Sequence, residues 1–149
     1  VRDFDVTDIN NMGAAMAPAA AETLLRFFAR CGRRPEDYDA IYTGDLGFVG
    51  SRLLLEILQA EGLPLQNHQD CGLLLYDRAR QQVKAGGSGA GCSAAVLAAH
   101  ILPGLAKGQL HRVLLVSTGA LMSQTTFLQG ESIPGIAHLV ELLAPGTPV

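Results

Sequence analysis

The chain has 149 residues, with 11 basic and 14 acidic side chains, four His, three Cys and no Trp. That length predicts one domain, residues 1–149, able to bury a core. With 48% hydrophobic and 17% charged residues, an intrinsically disordered chain is excluded. The net charge of −3 lacks the basic excess of a nucleic-acid binder, so no nucleic-acid partner is expected. No apolar run is long enough to span a bilayer, and none has the form of a signal peptide. Cys31, Cys71 and Cys92 are odd in number and far apart. They make neither a disulfide framework nor a CxxC metal site; they point to a reducing compartment, and no metal is expected. The 17 glycines, a mean hydropathy of +0.24 and a start at Val1 rather than Met together predict a piece of a larger body, with apolar surface meant for something else.

In chain order, residues 1–12 form a polar leading segment that runs into a helix. From Pro18, suited to a first helical turn, Leu24, Leu25, Phe27 and Phe28 recur at helical spacing until Gly32 and Pro35 stop them. Asp39–Thr43 has the composition of a strand. A second helix is predicted from Ser51 as N-cap through Leu54, Leu55, Ile57 and Leu58 to Gly62. Leu73–Tyr76 reads as a short apolar stretch, with Gln81–Ala85 as a strand paired to it. A glycine-rich stretch, Gly86–Gly91, leads into a helix over Ser93–Lys107, which Pro103 must kink or end. Arg112–Thr118 is a near-continuous apolar run, as required of a strand in a parallel sheet covered on both faces. Gln129–His138 reads as a loop followed by one helical turn, and residues 142–149 as a tail. The small residues of Asn11–Ala19 predict close packing against another element or subunit. The alternation predicts an α/β fold, a layered sheet with helices on both faces.

The strongest chemical signal is Gly86-Gly87-Ser88-Gly89-Ala90-Gly91-Cys92-Ser93, just before a helix. Glycines let the backbone approach a ligand closely, and a helix start offers unpaired N–H groups to a carboxylate or oxyanion. The phosphate-loop pattern fails because Cys92 stands where Lys is needed; the dinucleotide pattern fails at Cys92 and the nucleophile elbow at Ala90. A tight turn packing a helix on a sheet explains the stretch equally well. Cys92 has two readings, a nucleophile activated at a helix start or, more commonly for a free Cys, a buried structural thiol. Asp45 follows a strand directly, where ligands of α/β sheets gather. His100 is expected to be a satisfied core residue, and His68 and His111 to sit solvated in polar turns. Glu131, Ser132 and His138 are pocket candidates that a plain loop also explains.

Five segments, taken in order, carry a resemblance: DYDAIYTGDLGFVG, QDCGLLLYD, AGGSGAGCSAA, RVLLVSTGALMS and QGESIPGIAH. From about Asn11 to Glu141 the chain resembles the C-terminal part of the stage V sporulation protein AD family. The resemblance implies a thiolase-like fold related to the ketoacyl synthases, in which two similar halves build a five-layered body with site groups from both. The initiating ketoacyl synthases carry a His where this chain reads Thr43-Gly44-Asp45-Leu46, and an Asn where it reads Gly86-Gly87-Ser88. Loss of both argues against Claisen chemistry in this half, since proton transfer and oxyanion stabilisation are each worth orders of magnitude in rate. No catalytic residue is therefore assigned here and no cofactor is implied. The family implies binding of dipicolinic acid and its movement, as a calcium chelate, into the developing spore and out again at germination. It also implies work at the spore inner membrane with membrane-embedded products of the stage V A operon, attachment through partners, an N-terminal half of the same fold, and a homodimer. The expected contacts are the backbone N–H groups of Gly89, Gly91 and Cys92, the Ser93 hydroxyl and Asp45. The alternatives are an acyltransferase of the thiolase class, working through Cys92 or the other half, and a half-domain that only completes the fold.

Overall fold

The computed structural model describes residues 1–148. Helix α1 (Met12–Cys31) starts earlier than Pro18 predicts, because Asn11 caps it by accepting from the Ala14 amide at 3.2 Å. Pro18 thus lies inside the helix rather than in its first turn, and Gly32 ends it in the left-handed conformation at φ 69°. A 3₁₀ turn (Pro35–Asp37) leads to strand β1 (Ala40–Thr43), buried along its whole length. Helix α2 (Gly47–Ala60) starts at Gly47, a turn before the expected N-cap. Ser51 is instead buried inside it, its Oγ without a hydrogen-bond partner among the described residues.

Strand β2 (His68–Asp70) runs directly into helix α3 (Cys71–Leu74). The predicted pairing of Leu73–Tyr76 with Gln81–Ala85 does not form. Leu73 and Leu74 end α3 while Leu75 and Tyr76 turn out of it, and 81–85 is irregular chain whose Ala85 carbonyl accepts from the Phe48 amide at 2.8 Å. Helix α4 (Gly91–Val96), a π-turn (Leu97–Ile101) and helix α5 (Leu102–Ala106) run end to end. Pro103 therefore does not break the segment. The π-turn, in which Leu102 N–H donates to Leu97 O, reorganises the carbonyls that its ring would otherwise strike. Strand β3 (Arg112–Ala120), helix α6 (Gln124–Leu128) and strand β4 (Gly135–Leu143) complete the fold. Strand β4 replaces the helical turn expected near His138 and takes in the first two residues of the expected tail. Val149 lies outside the described residues.

The sheet order is β2-β1-β3-β4, with β2, β1 and β3 parallel and β4 antiparallel to β3. Ile41 pairs with His68 and Leu114, and Val116 pairs with Leu139. Helices α1 and α2 cover one face through Met16, Leu24, Leu54 and Leu58, which meet Ile41, Leu114 and Val116. Residues of 91–106 cover the other through Val96, Ile101 and Leu105 against Tyr42, Val113 and Leu115. The structure is an α/β fold with a mixed sheet and helices on both faces, as expected.

The small residues of Asn11–Ala19 pack against other elements of the same chain. A Cβ on Gly13 would lie 2.6 Å from Leu46 O, one on Gly50 2.8 Å from Gly13 Cα, and one on Gly135 within contact distance of Ala15 O. Backbone therefore lies on backbone where α1 crosses α2. Gly50→Val is expected to lower stability by about 1–3 kcal/mol through overpacking. Urea denaturation of the variant checks this, with Gly62→Ala as a surface comparison, its loss coming only from a φ of 78°.

Candidate functional site

The parallel strands β1 and β2 end side by side, and their C-terminal ends carry the polar groups of the site. Asp70, 2% exposed, is the organising residue. Its Oδ2 accepts from Thr43 Oγ1 at 2.7 Å and Leu46 N at 2.9 Å; its Oδ1 accepts from Gly47 N at 3.1 Å and Leu73 N at 3.2 Å. Two of these donors belong to the starts of α2 and α3, where helix dipoles favour negative charge. Burial pushes the carboxyl up from its usual range, and the hydrogen bonds of Thr43, Gly47, Leu46 and Leu73 pull against that. Nothing in the sequence singled out Asp70. An Asp closing a short polar stretch, followed by helix-forming residues, was the one signal available.

His68 differs from its expected solvated turn. It is half-buried in β2, its Nε2 lies 3.0 Å from Thr43 Oγ1, and burial lowers its pKa to about 4. The Thr43 hydroxyl donates to Asp70, so it accepts from a neutral His68 protonated on Nε2. His100 departs from expectation in the other direction: its ring is exposed, with Nε2 3.3 Å from the hydroxyl of buried Tyr42.

Asp45 sits on the loop between β1 and α2 and faces the glycine-rich stretch. Its Oδ2 accepts from Gly89 N at 2.8 Å and lies 3.5 Å from Ser88 Oγ. Its Oδ1 accepts from Thr118 Oγ1 at 3.1 Å, and that hydroxyl accepts from Asp45 N at 3.1 Å. Asp45 thereby ties the glycine-rich stretch to β3. The base of that stretch is held by Gly87 N donating to Gly72 O at 2.7 Å, and a Cβ on Gly72 would strike Gly87 O. Glycine is required at Gly72 by this approach, while a Cβ on Gly87 would press on the Cys92, Leu75 and Tyr76 side chains at 3.1–3.3 Å, in line with the tight-turn reading of the motif.

Two cavities adjoin here. One of about 470 Å³ is lined by 9–13, 45–47, Val49 and 85–88. The other, of about 350 Å³, is lined by Met12, Met16, Asp45, 88–90, 118–120 and Met122. Both therefore reach Asp45 and Ser88, and the second also reaches Gly89. Gly91, Cys92 and Ser93 line neither. Gly91 is exposed, with open space where a Cβ would stand. The Cys92 amide donates to Gly89 O at 3.0 Å, and its thiol is buried. Burial, then the charges of Asp45 and Asp70, push the Cys92 thiol up. The same causes, burial first and Asp70 next, raise Cys71 to about 12. Neither is an activated thiolate, and Cys92 takes the structural reading. Ser93 is half-buried on the first turn of α4. Ser132 donates to Asp3 at 2.6 Å and lines a separate cavity with Glu131, and His138 faces a groove beside α1. The structure does not bring these three to the glycine-rich stretch.

Asp70→Asn is expected to cost at least about 2 kcal/mol, because the new NH₂ faces donors that a carboxylate had satisfied; thermal unfolding measures it. His68 binds its proton less well folded than unfolded, with a pKa near 4 against an ordinary 6.5. Stability attributable to it is intact above pH 6.5 and falls as pH drops toward 4, by about 3 kcal/mol at most. His68→Gln should remove that part of the acid dependence in denaturant titrations run between pH 7 and 4. An unchanged slope would show that His68 does not titrate in this way.

The sequence profile of the stage V sporulation protein AD family matches residues 1–143. Stage V sporulation protein AD of Bacillus subtilis (strain 168) is 51% identical over 139 residues, which cover 93% of this chain and 41% of that relative. The chain thus spans less than half the length of the curated relative it matches. The match runs through the site as well as the core, since both the Asp45 loop and the glycine-rich stretch lie inside it. The chain belongs to the stage V sporulation protein AD family, whose name assigns its members to spore formation.

Proposed function

We propose that the chain is the C-terminal half of a thiolase-like protein that binds dipicolinic acid without catalysis and takes part in its passage into the developing spore and out at germination. The observation that carries this reading is the cleft at Asp45, walled by the glycine-rich stretch and an amide that already holds a carboxylate oxygen. Dipicolinate is a flat pyridine bearing two carboxylates, and cavities of 350–470 Å³ match one small ring. Of the expected contacts, Gly89 contributes a backbone donor at the cleft and Asp45 holds the stretch in place, while Gly91, Cys92 and Ser93 line neither cavity and would meet only a ligand that extends past Gly89 toward α4. No His stands at Thr43-Gly44-Asp45-Leu46 and no Asn at Gly86-Gly87-Ser88, so this half offers hydrogen-bond donors rather than a general base. Acyl transfer through Cys92 is disfavoured by its burial and raised pKa.

An N-terminal half of the same fold would cover apolar side chains that stand exposed here, among them Leu74, Leu75, Tyr76 and Leu102. No helix among the described residues is long and apolar enough to cross a membrane. Attachment at the spore inner membrane would come through the membrane-embedded products of the stage V A operon, and the assembly would be a homodimer.

Calorimetric titration of dipicolinate, with and without calcium, into the full-length protein tests the reading. Saturable binding is expected; weakening of at least about tenfold (about 1.4 kcal/mol) in a Ser93→Ala, Gly91→Val double variant would extend the site to the start of α4, and unchanged affinity would confine it to the cleft at Asp45. The Val side chain enters open space, so the variant should fold. Folded wild type that takes up no dipicolinate sinks the proposal. Cys92 should alkylate slowly with iodoacetamide at neutral pH, as mass spectrometry of the Cys92 peptide would show; rapid labelling would return the acyltransferase reading.

A further inference from the structure

The contact between Asp45 and Gly89 is both a lock and a sample of the chemistry the cleft accepts. One carboxylate oxygen lies 2.8 Å from the Gly89 amide, while the other stays on Thr118 of β3. Met12, Asp45 and Ser88 line both cavities, so the bridge from Asp45 to the Ser88–Gly89 tip forms the wall between them. The tip has room around it. Its base is pinned at Gly87 by Gly72 O, whereas a Cβ at Gly89 or Gly91 would meet nothing within 4 Å. Gly89 holds a φ of 108°, a backbone setting that glycine tolerates and other residues rarely adopt. Besides Asp45, the Cys92 amide holds the tip by donating to Gly89 O at 3.0 Å.

We propose that Asp45 is a displaceable internal stand-in for a ligand carboxylate. In the empty protein it closes the Ser88–Gly89 tip across the cleft. An incoming carboxylate takes over the Gly89 amide, Asp45 falls back on Thr118, the tip lifts, and the two cavities join into one. A single N–H serves one strong acceptor at a time, so ligand and Asp45 compete, and observed affinity is reduced by the fraction of molecules in which the strap is closed. This rests on the reading above that the ligand is a carboxylate. It adds that Asp45 opposes binding rather than supporting it.

The test uses the full-length protein, with Asp45→Asn and Asp45→Ala, the first retaining a neutral, weaker acceptor for Gly89. Dipicolinate affinity by calorimetry should rise from wild type through Asp45→Asn to Asp45→Ala, by about three- to tenfold at the end of the series. Amide hydrogen exchange at Gly89, measured without ligand, should be at least about tenfold faster in Asp45→Ala than in wild type. Equal or weaker binding by natively folded variants overturns the proposal, since Asp45 would then support the ligand or ignore it. If Asp45→Ala fails to fold, Asp45→Asn decides on the same two readouts. If none of the proteins binds dipicolinate, the functional reading fails by itself. Gly89 exchange then judges the strap: unchanged exchange overturns it and faster exchange upholds the closed state.

Discussion

A single buried carboxylate holds the working end of this molecule together. Asp70 lies at the C-terminal end of the edge strand β2, with the starts of α2 and α3 both pointing at it. A buried anion is costly unless its lone pairs are filled, and four donors fill them here. The consequence runs outward. By fixing Leu46 and Gly47, Asp70 sets where α2 starts, which places Asp45, two residues before that start, at the mouth of the cleft. By capping α3 it fixes Gly72, on whose carbonyl Gly87 hangs. The candidate site is therefore positioned by hydrogen bonds that lie behind it.

The second constraint is close approach. Gly13 against Gly50 brings α1 onto α2, Gly135 meets Ala15, and Gly72 meets Gly87. Small residues at crossings let backbones pack at distances that a single methyl group would forbid, and interiors at crystal-like density yield little. The glycine-rich stretch is held at Gly87 against Gly72 of α3 and has open space around Gly89, so one motif combines a packed base with an uncrowded tip.

The polar groups around the cleft divide by environment. Asp70 is dry and fully partnered, His68 is kept neutral by burial, and Cys71 and Cys92 are thiols held in protonated form by burial and neighbouring negative charge. Asp45 stands at the wall of the cavities, shared between β3 and the loop tip.

The features legible in the chain follow from short-range physics. The near-continuous apolar run of β3 marks a strand covered on both faces, the composition of Asp39–Thr43 marks β1, the spacing of Leu24, Leu25, Phe27 and Phe28 marks α1, and Gly32 marks its end. The ordered segments also carried the family, because motif order survives without coordinates. Only the tertiary structure could decide the rest. His68-Gln69-Asp70 is polar and three residues long, so β2 exists only because β1 offers it an edge. Strand β4 mixes His138 and Glu141 with apolar residues and is defined by its pairing with β3. The start of α2 at Gly47 depends on Asp70, 23 residues further along, and the state of the Gly89 amide on Asp45, 44 residues back. Such partners leave no periodic trace in the chain. Their role arises when folding removes water and each buried donor or acceptor must find a partner within reach.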